Sequence, residues 1–154
     1  MKENKNLIFS GICAVLSLIA FFMFFAPFIT LLGASNNGFE VAFNDPFYFG
    51  AFFNWIVVTF AMLISLGTCC IELLVKLKVM KPLNLKLNDM VKTIILGCLA
   101  IFDLVVAILL FCTPALCDGA DIFGLGAGAI VAAVMMILLF LVKCCYIVLP
   151  KVLK

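Results

Sequence analysis

The sequence predicts an all-α integral membrane protein: a four-helix bundle made of two hairpins, each of which leaves and returns to the same side of the bilayer. Three observations predict it. The 154-residue chain is 68% hydrophobic and 12% charged, and its mean hydropathy of +1.38 exceeds what a water-soluble domain tolerates. Its apolar residues fall into four blocks, each long enough to supply the roughly 20 residues that cross a hydrocarbon core of about 30 Å. Between the second and third blocks stand Lys76, Lys78, Lys81, Lys86 and Lys92 against one internal acid, Asp89, and short lysine-rich loops stay in the cytoplasm. The chain therefore reads as one membrane domain over 1–154, with spans at 7–32, 47–75, 90–112 and 123–149. Outer loops fall at 33–46 and 113–122, a cytoplasmic loop at 76–89, and both termini on the cytoplasmic side of the cell membrane.

Composition also excludes. A formal net charge of +2 is too small to suggest nucleic acid as a partner. All ten basic residues are lysines and histidine is absent, which removes the commonest metal ligand and the usual proton switch. No cofactor motif is present. The first block is far longer than a signal-peptide core of roughly 7–15 residues, so it reads as a permanent helix. Leu31, Leu32, Gly33 and Ala34 close it without a lipoprotein cysteine.

Helix one, 7–32, carries Ser10, Gly11, Ala14 and Ser17 in its inner half and phenylalanines in its outer half, with Pro27 near the outer end. Small residues let helices approach, and a proline there predicts a kink whose lost hydrogen bond is replaced by loop groups or water. In the first outer loop, Asn36, Asn37 and Gly38 signal a turn, and Phe39 to Phe43 alternate as a short strand would. Tyr48 and Trp55, among many phenylalanines, form an interfacial aromatic cluster. Such a cluster serves as a membrane belt or as a face for lipid or partner.

Helix two, 47–75, holds Asn54 and Ser65 among apolar residues, and Glu72 precedes Lys76 by four positions, the favourable order for a helical ion pair. The lysine loop mixes leucine and lysine, a pattern suited to anionic lipid headgroups. Asn88 or Asp89 can cap helix three. Helix three, 90–112, places Asp103 at mid-bilayer, with Ala100 and Ala107 on its face. Burial there favours the neutral acid unless a cation pairs with it, and no basic residue is expected at its depth. Two roles remain open: a hydrogen-bond clamp between helices, or an ion or proton site. Cys112 and Cys117 bracket the second outer loop, as a small disulfide in an oxidising compartment or as two free thiols. Helix four, 123–149, opens with Gly124, Gly128 and Ala132 spaced by four, a face for close helix packing within the chain or between copies. Lys143 is expected to snorkel to the inner surface.

The two hairpins share a pattern. Gly11, Ala14, Ser17 and Pro27 echo Gly97, Ala100, Asp103 and Pro114, which would set Ser17 level with Asp103. Cys69 with Cys70 and Cys144 with Cys145 close helices two and four. Adjacent helical residues diverge by about 100°, so neither pair suits a metal, and no metal site is expected.

The run Gly-Phe-Glu-Val-Ala-Phe at 38–43, Cys112-Thr113-Pro114, and Gly124-Leu125-Gly126-Ala127-Gly128-Ala129 resemble the uncharacterised small four-helix membrane proteins of AT-rich Gram-positive bacteria. That resemblance covers nearly the whole chain and brings no activity with it. The layout is also similar to claudins and tetraspanins, although the claudin Trp…Gly-Leu-Trp-Cys-Cys and the tetraspanin Cys-Cys-Gly patterns are absent. The expected function is non-catalytic, exercised by helix–helix assembly with itself or a membrane partner in the lipid bilayer. The alternative is a small oligomeric ion or proton channel, or a transporter subunit, using Asp103.

Overall fold

Pro27 decides where the first span ends. In a computed structural model, which describes residues 2–31, 34–38, 40, 49–81, 88–116 and 123–152, helix α1 runs Lys2–Phe22, tightens into a 3-10 turn at Met23–Phe25, and becomes strand β1 at Pro27–Leu31. The helix expected over 7–32 is corrected at its outer end. Proline lacks an N–H and crowds the residue before it, and Ala26 is accordingly extended, with φ −85° and ψ 165°. Phe28, Ile29 and Thr30 then carry strand preference.

β1 is the centre of a three-stranded antiparallel sheet. β2 (Ala34–Asn37) pairs on one side and β3 (Phe123–Leu125) on the other, with Thr30 opposite both Ser35 and Gly124. The fold is thus helical with a small sheet rather than purely α. The strand expected at 39–43 is not the described one, which ends at Asn37; Phe39 and residues 41–43 lie outside the described residues. Helix four also starts later than expected, because its first three residues are β3. Gly126 makes the transition: its N–H donates to the Phe28 carbonyl at 2.7 Å, and a Cβ there would sit 2.3 Å from the Pro27 carbonyl oxygen.

The other helices are α2 (Phe49–Lys76), α3 (Asp89–Cys112) and α4 (Ala127–Val152). Asn88 takes the N-cap position of α3 with extended backbone, and its side chain makes no capping hydrogen bond. All four helices contain stretches long and apolar enough to cross a membrane: Asn6–Phe25, Val58–Lys76, Met90–Cys112 and Ala127–Val148. They mark a multi-pass membrane protein. α1 packs against α2 and α4, and α3 packs against the same two helices.

Each helix contributes one inward stripe. On α1 it holds Phe9, Cys13, Ser17 and Ala20; on α2, Val58, Met62, Ser65 and Cys69; on α3, Ala100, Asp103, Ala107 and Leu110; on α4, Ala129, Ala132, Met136, Leu139 and Lys143. Every step along these stripes is three or four residues, as close-packed helices require. Outward side chains such as Ile8, Phe60 and Ile101 are apolar and exposed, as a lipid-facing surface demands.

Candidate functional site

One inward position on each of three helices is polar, and the three meet. Asp103 is fully buried and Lys143 is 3% exposed; the Lys143 ammonium donates to Asp103 Oδ2 at 2.5 Å. The Ser65 hydroxyl donates to Asp103 Oδ1 at 2.8 Å. Both carboxylate oxygens are therefore engaged, and α2, α3 and α4 are joined through one side chain. This overturns two expectations: Lys143 does not snorkel, and Asp103 does have a basic partner at its depth. Helical side chains tilt toward the N-terminus of their helix. α4 begins at the sheet end, so Lys143 tilts away from the lysine end, while Asp103 on the oppositely directed α3 tilts toward it. The two converge.

Around the pair the surroundings are small and apolar. Ala100 and Ala107 are buried on the face of Asp103. Cys13 and Cys69 are buried neighbours across the α1–α2 contact. A charge pair in such a place is held by mutual attraction and hydrogen bonds, because removing either partner leaves an uncompensated ion in a low-dielectric interior.

A second polar cluster closes the lysine end. Lys76 pairs with Glu72 in the expected order and also donates to Ser10 Oγ at 2.6 Å and the Asn6 carbonyl at 3.3 Å. Ser10 Oγ stands 3.2 Å from Glu72 Oε1. The Tyr146 hydroxyl donates to Asn6 Oδ1 at 2.6 Å, and its ring stacks on Phe9 with centroids 4.0 Å apart. The Lys76 ammonium lies 5.6 Å from the centre of the same Phe9 ring. α1, α2 and α4 are fastened there.

The remaining sequence candidates fall as follows. Ser17 is buried but donates to the Ala14 carbonyl of its own helix at 3.0 Å; Ser65 is the serine that reaches Asp103. Gly128 lies under the first hairpin, where a Cβ would stand 2.7 Å from the Met23 carbonyl oxygen, and Gly124 faces Thr30. Ala132 is fully buried. The small-residue face of the fourth helix is thus filled by the chain's own β1 and 3-10 turn. Cys112 is an exposed free thiol. Cys117 and Tyr48 lie outside the described residues, as do the side chains of Asn54 and Trp55. Among the described residues, no three His, Cys, Asp or Glu side chains are grouped to hold a metal ion. Depth along the span does not reveal Lys143 as a partner; its place on the stripe Ala129, Ala132, Met136, Leu139 is the signal in the sequence.

Comparison with known proteins finds no match: no family model, no curated protein and no solved structure is similar to the chain.

Proposed function

We propose that the chain is a non-catalytic protein of the cell membrane that acts by assembling with itself or with another membrane protein. In this reading it is one four-helix bundle of two in-out-in hairpins, with both termini and the lysine loop in the cytoplasm and anionic lipids around that loop. The observation that carries it is the Asp103–Lys143–Ser65 clamp, in which the intramembrane acid is fully engaged in holding three helices together. An acid spent on internal cohesion leaves the outward helix faces and the sheet end as the surfaces for interaction. Because the glycine face of α4 is packed internally, assembly falls to faces other than that one.

A second reading has its own support. Lys143 supplies a cation at the depth of Asp103, and an acid with a basic partner inside a membrane is a common element of ion and proton pathways. One experiment separates the two: cross-linking and size analysis in mild detergent, with proton and ion flux measured in proteoliposomes of the same preparation. A discrete oligomer or stoichiometric partner with no flux is the expected result. A monomer that conducts, and stops conducting in Asp103→Asn/Lys143→Met, would overturn assembly in favour of transport.

A further inference from the structure

The antiparallel helices α1 and α2 meet in one register. Steps of four, three and four residues along α1 from Asn6 match the same steps back along α2 from Lys76. The Lys76 ammonium donates to the Asn6 carbonyl at 3.3 Å, and Ser10 Oγ stands 3.2 Å from Glu72 Oε1. The next facing positions are Cys13 with Cys69, and after them Ser17 with Ser65; all four of these residues are buried. Side chains three and four apart share a helix face, so the register that pairs the polar groups at the lysine end also sets the two thiols against each other. A thiol–thiol hydrogen bond joins them.

Their setting selects the reagent. Cys13 is 1% and Cys69 3% exposed, whereas Cys98, Cys112 and Cys145 are exposed. A bulky or charged oxidant is kept out of such a helix contact; a small uncharged peroxide partitions into and across a bilayer. Oxidation of a thiol by peroxide stops at a reversible product when a second thiol stands beside it. In the first step one Sγ takes an oxygen as the peroxide O–O bond breaks, and the thiol proton leaves with the other oxygen as water. In the second step the facing Sγ attacks the sulfenic sulfur, the S–O bond breaks, and the departing hydroxide carries off the second thiol proton as water. The pair gives two electrons to the peroxide and gains an S–S bond.

We propose that Cys13 and Cys69 form an oxidation site at which a small uncharged peroxide converts the facing thiols to a disulfide that ties α1 to α2 within one chain. The site goes beyond the assembly reading and does not depend on it.

The test reconstitutes the full, reduced chain into phosphatidylcholine vesicles and exposes it to hydrogen peroxide. The protein is then quenched in acid, denatured, labelled with a maleimide and digested for mass spectrometry. The expected result is a peptide pair joined through Cys13 and Cys69, with loss of maleimide at both residues that a dithiol reductant reverses. Oxidised glutathione, which is bulky and charged, should leave both residues labelled. Cys69→Ala should abolish the link at Cys13, and Cys70→Ala, at the neighbouring position of α2, should keep it. Full labelling of Cys13 and Cys69 at peroxide concentrations that oxidise the exposed Cys112 overturns the site and leaves the two thiols as inert packing. A link from Cys13 to Cys70, or between two chains, overturns it as well, and so does equal action of oxidised glutathione. The linked peptide of the unmodified chain decides if Cys69→Ala does not fold.

Discussion

At the scale of single residues, the fold depends most on a charge that the bilayer would otherwise reject. Lys143→Met leaves Asp103 buried with Ser65 alone, and removing one member of a buried pair costs about 3–5 kcal/mol. Asp103→Asn leaves the Lys143 ammonium alone and should cost a similar amount. The double variant Asp103→Asn/Lys143→Met keeps an acceptor for Ser65 and restores most of the loss. Unfolding in mixed detergent micelles measures all three, and additive losses in the double variant would contradict the clamp. Asp103 was legible in the sequence as an acid at mid-bilayer. Its partners were not, since a lysine close to the end of its span looks like an anchor until the direction of its side chain is considered.

At the scale of elements, the first hairpin is shaped by a proline and received by glycines. Gly126 and Gly128 lie where β1 and the 3-10 turn cross the start of α4, and their missing side chains are the space for the Pro27 and Met23 carbonyls. Gly126→Ala should therefore lower stability by about 1–3 kcal/mol, the usual penalty for overpacking. A Cβ added at Gly67 would meet nothing within 4 Å, so Gly67→Ala in α2 should be neutral or should stabilise by about 0.5–1 kcal/mol. The same unfolding measurement checks both, and equal responses would refute the packing argument. The four apolar blocks were readable from hydropathy because a membrane span has a fixed length. The sheet was not readable, because β1 and β3 are short apolar runs continuous with helices, and β3 lies far from β1 in the chain.

At the scale of the whole molecule, that sheet joins the exits of the two hairpins. Thr30 and Gly124 are direct cross-strand partners, so Thr30→Cys/Gly124→Cys in a cysteine-free background should form an intramolecular disulfide, read as a loss of thiol labelling reversed by reductant. Free thiols under oxidising conditions would count against the β1–β3 pairing. The proposed orientation has its own check. In the same background, Lys78→Cys should react with an impermeant maleimide only after cells are opened, and Asn37→Cys should react in intact cells. The reverse pattern would invert the topology.

The clamp also sets a schedule for synthesis. Lys143 follows Asp103 by 40 residues, which a ribosome working at about 5–20 residues per second takes about 2–8 s to supply. For that interval the acid of α3 has the Ser65 hydroxyl but no cation, at about 2.5–3.5 kcal/mol on insertion scales, and the arrival of α4 supplies the cation. A chain arrested before its last helix lacks the cation that completes the pair, so the inward stripe of α3 is closed only by the last element to be made.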